Sequence, residues 1–259
     1  MQGYDSASYG DAFADVYDEW YGDVSDVPTT VSALAGLAAS CGDMPIVELG
    51  VGTGRLAIPL AAAVHPQTVI GIDASQAMLD WLHANQLAAN DARGTIDVRL
   101  GDMVDDIPPG PLGVVFVAFN TFFNLGTRER QHGCFRAVAA RLAPDGCFVI
   151  EAAVPDMSAT SGSHVEVRTV ATDRVVLSIA RYDAGSALAE GQFVELTEAG
   201  GVRLRPWSVR YAAPDELDRM ALAAGLVLRD RWEDFSGRPY GADSERHVSV
   251  YGVASATAS

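Results

Sequence analysis

Residues 45–54 read Pro45-Ile46-Val47-Glu48-Leu49-Gly50-Val51-Gly52-Thr53-Gly54, and Arg55 follows. An apolar run that enters three closely spaced glycines and leaves into an Ala-rich segment predicts a buried strand, Ile46–Gly50, a glycine turn, and a helix over Arg55–Val64. Glycine supplies the positive φ angles of such a turn and lets a ligand approach the backbone with no Cβ in the way. The dinucleotide fingerprint G-x-G-x-x-G, counted from Gly50, needs glycine at position 55, where the chain has Arg55. The spacing is instead G-x-G-x-G, with the acidic Glu48 two places before the first glycine.

Outward from this turn, strand and helix patterns alternate through about the first 150 residues, the signature of a parallel sheet covered on both faces. The expected strands are Thr68–Ile72, Ile96–Leu100, Gly113–Phe119 and Cys147–Glu151. Ser75 is placed to cap a helix over Gln76–Ala89. Thr127 is placed to cap another ending near Leu142, where Pro144-Asp145-Gly146 marks the stop. After Pro155 the pattern changes to short alternating segments, Val165–Ala171, Val175–Tyr182, Ala189–Leu196 and Val202–Val209, separated by turn signals. That is an antiparallel meander. A short helix, Asp215–Ala224, and two strands, Val227–Phe235 and His247–Val253, complete the pattern, and Ser255–Ser259 reads as a frayed tail.

The 259 residues, 49% of them hydrophobic, suffice for one large α/β domain with a small appended lobe. The first thirty residues hold seven acidic groups and no Lys or Arg, which is not a signal-peptide composition. No apolar run approaches the roughly 20 residues that span a bilayer, so no membrane association is expected. Cys41, Cys134 and Cys147 have no metal-ligand spacing and read as core thiols of a reducing, cytoplasmic compartment. The net charge of −16 disfavours a nucleic-acid partner. It serves solubility, or the attraction of a cationic substrate. The chain has no Lys, which excludes Schiff-base and lysine-base chemistry.

Three features fall at the ends of successive parallel strands, where open α/β sheets bind ligands. The first is the glycine turn with Glu48. The second is Asp73, which ends Val69-Ile70-Gly71-Ile72-Asp73 and can accept hydrogen bonds from both hydroxyls of a ribose. The third is Gly101-Asp102-Met103, where Asp102 can pair an adenine amino group and Met103 can pack on the ring. Together they point to S-adenosylmethionine (SAM).

With Tyr17-Asp18-Glu19-Trp20-Tyr21, Gly71-Ile72-Asp73-Ala74-Ser75, Met78-Leu79 and Leu142-Ala143-Pro144-Asp145-Gly146, these segments resemble the class I SAM-dependent methyltransferases. The similarity is to the small-molecule, natural-product branch. It covers residues 9–155 by motif and the last two strands by pattern. The resemblance implies a seven-stranded Rossmann-like sheet whose last strand inserts antiparallel, with an antiparallel β lid over the acceptor. The division is then an N-terminal helical cap over 1–44, a SAM-binding core over 45–156 and 213–253, and a lid over 157–212. Tyr17, Glu48, Gly50, Gly52, Gly54, Asp73, Ala74, Met78, Asp102, Met103 and Phe119 are the expected SAM-binding residues, with S-adenosylhomocysteine as the product.

The acceptor is less legible. Asn120, Phe122, Phe123, Asn124 and Trp207 are expected to bind it, because Phe119, Phe122, Phe123 and Trp207 offer an apolar wall on which an aromatic ring can stack. Sugar N-methyltransferases tend to place a histidine where this chain has Asn124. The Asn-Pro-Pro-aromatic motif for methylating base amino groups is missing, and no Asp ends the fourth strand to hold magnesium, so no metal is expected. The reading is transfer to an amine or a nucleophilic carbon of a small molecule, by in-line displacement with positioning and desolvation. A phenol or sugar hydroxyl would want a base, for which Tyr21, Glu151 and His164 are the candidates. A non-catalytic SAM-binding protein and a homodimer stay open.

Overall fold

The glycine turn lies at the carboxyl end of β1 (Ile46–Leu49), in the middle of a seven-stranded sheet. The computed structural model describes residues 1–22, 24, 26–89, 94 and 96–254. The other strands are β2 (Val69–Asp73), β3 (Ile96–Leu100), β4 (Leu112–Val117), β5 (Leu142–Ala153), β10 (Leu226–Trp232) and β11 (Arg246–Val253), in the order β10-β11-β5-β4-β1-β2-β3. The five strands β1 to β5 run parallel. The last strand, β11, slots antiparallel between β5 and β10. This is the Rossmann-like methyltransferase sheet that the resemblance implies.

Both faces are covered, which is why β1 and β4 are buried at every position. Alternation along β1 sends Val47 and Leu49 to one core, with Phe135 and Val138 of α6 (Arg128–Ala139) and Leu217 and Met220 of α7 (Pro214–Ala223). Ile46 faces the other, with Leu34 of α3 (Val27–Ala39), Leu60 of α4 (Ala57–Val64) and Leu82 of α5 (Gln76–Ala89). Thr127 caps α6, its Oγ1 accepting the Arg130 N–H at 3.2 Å. The Ser75 Oγ accepts the Met78 N–H, also at 3.2 Å, at the start of α5.

The meander forms a separate four-stranded antiparallel sheet, β6 (Gly162–Val170), β7 (Arg174–Asp183), β8 (Leu188–Thr197) and β9 (Val202–Arg210). A third apolar cluster joins it to the core through the N-terminal helices α1 (Ser8–Phe13) and α2 (Tyr17–Tyr21). There Phe193 of β8 meets Phe13 and Trp20 edge-on at 5.8 and 5.5 Å, and Met78 of α5 lies beneath.

Several boundaries differ from the sequence reading, and two of the differences have a clear physical cause. The expected stop at Pro144-Asp145-Gly146 lies inside β5, because Leu142 pairs with Leu112 and the turn residues are absorbed by an irregularity between Leu112 and Val114. The helix after the glycine turn starts at Ala57 rather than Arg55, since the turn continues through the left-handed Gly54. Ser255–Ser259, expected to fray, lie outside the described residues. Among the described residues no helix is long and apolar enough to cross a membrane.

Candidate active site

Gly50 and Gly52 adopt φ angles of 72° and 55°, a region that disfavours any residue with a Cβ. A Cβ at Gly50 would stand 2.4 Å from Thr121 Cγ2, whereas the space in front of Gly52 is open. Asp73 ties the turn down. Its Oδ2 accepts the Gly52 N–H at 2.8 Å and its Oδ1 accepts the Ser75 N–H at 2.9 Å. Burial pushes the Asp73 carboxyl above the usual carboxylate range, against the pull of the Ser75 and Gly52 amides. Each oxygen keeps a lone pair for a further donor.

A cavity opens over these groups, floored by Gly50, Gly52, Ile72, Asp73 and Ala74 and flanked by Met78, Gly101, Asp102 and Met103. Tyr17 of α2 lines it as well. Three other expected SAM-binding residues stand elsewhere. Gly54 faces α5, where a Cβ would meet Leu82 at 2.8 Å, so its lack of a side chain serves helix packing. Glu48 does not line the cavity. It is buried with Oε2 unpartnered, and burial pushes its carboxyl to about 8. Phe119 lies on the other side of the site, described below. Asp102 does line the cavity, but its Oδ1 accepts the Val104 N–H at 2.7 Å and pairs with Arg130.

The cover of this cavity is not legible in the motifs. Tyr4, Asp5, Ser6, Tyr9 and Gly10 close it from above. A Cβ on Gly10 would lie 2.4 Å from Ser75 Cβ, so α1 packs flush on the start of α5. The Ser75 hydroxyl donates to Asp11 at 2.6 Å, and the Thr53 hydroxyl donates to Asp18 at 2.6 Å, which pins α1 and α2 over the glycine turn. The density of tyrosines at positions 4, 9, 17 and 21 was the available signal.

A second chamber adjoins the first, and Tyr9, Tyr17, Thr121 and Asn124 line both. Its other walls are Tyr21, Phe119, Asn120, Phe123 and Ala153 from the core side, with Phe193, Trp207 and Val209 from the four-stranded sheet and Tyr211 just after it. Phe119 and Asn120 have φ angles of 49° and 64°, rare for residues with a side chain and a mark of functional sites. The backbone is held there by Glu151, whose Oε2 accepts the Phe119 N–H at 3.0 Å, and by Asn120, whose Oδ1 accepts the Ala153 N–H at 2.7 Å.

Phe122 does not join this wall. The 3-10 turn Thr121–Asn124 directs it into the core, fully buried, with its ring 5.5 Å from that of Phe135. Of the three candidate bases, Tyr21 lines the chamber. Glu151 faces a neighbouring acidic cavity with Glu233, Asp243 and Glu245. His164 lies on β6 beside yet another cavity, between the 154–161 connection and the inner face of the lid. That cavity shares Ala153, Trp207 and Tyr211 with the chamber, so it extends the chamber outward.

The glycine-turn cavity thus offers what SAM requires: room before Gly52, a carboxylate with free lone pairs at Asp73, and Met78 and Met103 for a planar base. A methyltransferase-domain family matches residues 46–146. The CcbJ methyltransferase from Streptomyces caelestis is 38% identical, with 97% of this chain and 100% of that one covered and a TM-score of 0.85. Two more distant structures share the fold. A SAM-dependent methyltransferase from Clostridium acetobutylicum has 13% identity, coverage of 93% and 97%, and a TM-score of 0.76. SAM-bound CalS10, an amino pentose methyltransferase from Micromonospora echinaspora, has 20% identity, coverage of 91% and 95%, and a TM-score of 0.65. A search of curated proteins finds no match. The chain belongs to the class I SAM-dependent methyltransferases.

Proposed function

We propose that the protein transfers a methyl group from SAM to an amine, or to a nucleophilic ring carbon such as that of an indole, on a small specialised metabolite. The observation that carries this reading is the chemistry of the chamber wall. Among the described residues lining it there is no Asp, Glu, His or Cys. Burial holds the Tyr17 hydroxyl up to about 12 and the Tyr9 hydroxyl well above the usual phenol range, so neither is a ready base; Tyr21 is the candidate base on the chamber wall, and His164 and Asp156 stand only in its outward extension. A neutral amine or an electron-rich carbon can attack first and release its proton afterwards. A hydroxyl acceptor would need a base within hydrogen-bond reach.

SAM, when bound, supplies a methyl group already activated on a sulfonium. Gly50, Gly52, Asp73, Ala74, Met78, Asp102 and Met103 would hold it, under the cover of Tyr9 and Tyr17. The protein's remaining task is geometric. Tyr9, Tyr17, Thr121 and Asn124, common to both cavities, stand where donor and acceptor must meet. Phe119, Phe123, Phe193 and Trp207 exclude water and stack the acceptor. Positioning of this kind can supply roughly 7–11 kcal/mol in ideal intramolecular reactions. The outward extension beside Tyr182 and Tyr211 accommodates an acceptor larger than one ring. The cavity behind Phe119, where Glu151, Glu233, Asp243 and Glu245 outnumber Arg246, and the charge of −16 both favour drawing a cationic amine in from solvent; its ammonium releases a proton to water before the free amine attacks. In this reading residues 1–44 are the cap, 45–156 and 213–253 the core, and 157–212 the lid.

The test is methyl transfer from labelled SAM to a panel of amines, indoles, phenols and sugars. Labelled product from amines or indoles supports the reading. Product from phenols or sugar hydroxyls alone assigns O-transfer. SAM binding with no product in any class assigns a non-catalytic role.

A further inference from the structure

The four-stranded sheet departs from an ordinary half-exposed sheet in carrying apolar rows on its outward face as well as on its inward one. Strand pairing places Val170, Val175, Leu196 and Val202 in one row across β6, β7, β8 and β9. The next row on the same face is Val167, Leu177, Val194 and Leu204. A third holds Val165, Ile179, Gln192 and Pro206. This face points away from the core: Val165, Val167, Val170, Val202 and Leu204 are 57 to 74% exposed, and Ile179 and Leu196 each 40%.

The opposite face packs Val176, Phe193 and Trp207 inward and carries charged side chains among them. Arg205, Glu195 and Arg174 project inward, where Arg205 pairs with Asp15 at 2.6 Å and with Glu195 at 3.0 Å, and Arg174 pairs with Glu19 at 2.8 Å. Alternation in a sheet that is solvated on one side normally puts apolar residues inward and polar ones outward. A one-residue slip would turn the valine rows inward only by breaking the ion pairs to the N-terminal helices and turning Phe193 and Trp207 out to solvent.

We propose that this outer face is the interface of a homodimer, with two copies packed lid on lid about a two-fold axis. A two-fold interface requires a patch complementary to itself. Two apolar rows with no charge meet that requirement, whereas the acidic remainder of the surface repels its own copy. The polar row Ser163, Arg181, Glu190 and Ser208 bounds the patch on one side, where Glu190 and Ser208 are buried and Glu190 pairs with Arg181 at 2.7 Å and with the Met1 ammonium. The seven exposed side chains present on the order of 650 Å² per copy, beyond what most monomers leave open, and two copies would bury about 1,300 Å², within the range of stable interfaces. Because Phe193 and Trp207 stand on the reverse of the same strands, the contact would also stiffen the chamber's outer wall.

The experiment is sedimentation velocity with light scattering on the full chain, from about 1 to 50 µM, with SAM affinity measured in parallel. The expected species has twice the 27.4 kDa chain mass. A Val167→Asp/Leu204→Asp variant should be monomeric with SAM affinity within twofold of the parent, since neither residue lines a cavity described above. Should that variant fail to fold, Val170→Ser, at an exposed end of the patch, should weaken the dimer about tenfold. A parent chain that stays monomeric overturns the proposal. So does a folded variant that stays dimeric. Recruitment of the monomer to zwitterionic vesicles without self-association overturns it too, and assigns the face to a membrane surface.

Discussion

Asp73 Oδ2 accepts a 2.8 Å hydrogen bond from the Gly52 N–H, which joins the carboxylate ending β2 to the turn ending β1. One side chain thereby fixes the donor cavity's floor and presents its own remaining lone pairs to it. Asp73→Ala should weaken SAM binding by about 1.5–3 kcal/mol, roughly 10- to 150-fold in Kd. Isothermal titration of the folded variant checks this, and an unchanged Kd would remove Asp73 from the donor site.

Glu48 gives a prediction about pH. Burial raises its folded-state pKa from 4.5 to about 8, outweighing the opposing pull of Arg55. Between those values the folded chain holds a proton that the unfolded chain has lost. Stability therefore falls as pH rises through this window, by up to about 1.4 kcal/mol per unit from this group. Glu48→Gln should flatten that part of the profile. Melting temperatures of parent and variant at pH 5 and pH 8 make the comparison, and parallel profiles would contradict it.

Gly191 of β8 carries the Trp207 indole flat against it. A Cβ there would lie 2.5 Å from Trp207 Cζ2 and 2.4 Å from the Ile179 carbonyl oxygen. Gly191→Ala should displace the indole from the chamber wall and raise KM for the acceptor about tenfold, with SAM affinity intact because Trp207 does not line the donor cavity. Steady-state kinetics combined with a SAM titration separates the two effects.

Phe122 separates core from site. Fully buried against Phe135, it should lose about 3–5 kcal/mol on truncation to Ala, seen as a lower denaturation midpoint. At temperatures where the variant is folded, its acceptor KM should match the parent's. A selective rise in KM would return Phe122 to the acceptor wall.

The helices on both faces of a parallel sheet were legible in the chain, because the alternation of short apolar runs with capped helices is local; the antiparallel last strand came from the family resemblance, and the strand order was not read at all. The same locality exposed Gly50, Gly52, Asp73 and Gly101–Met103. Each lies at the end of a strand that its own residues specify. Phe122 and Phe123 were not distinguishable, since adjacent aromatics in a 3-10 turn point to different sides only after the turn is seated on the core. Gly54 and Phe119 likewise sit within the right segments yet face α5 and the second chamber instead of the glycine-turn cavity.

The sequence by itself determined the class I methyltransferase fold and the donor, because the elements that bind SAM are successive strand–loop units whose spacing is written along a single stretch of chain. Only the tertiary structure decided which residues line the second chamber and which face of the four-stranded sheet is exposed. Tyr9, Asn120 and Trp207 lie more than eighty residues apart from one another, and they meet because α1, the turn after β4 and the lid pack together. The sense of the lid's alternation was decided by the same packing. Its period of two marks two faces, but the packing of Phe193 on Phe13 and Trp20, with the buried Arg205 paired to Asp15, selects which one turns inward.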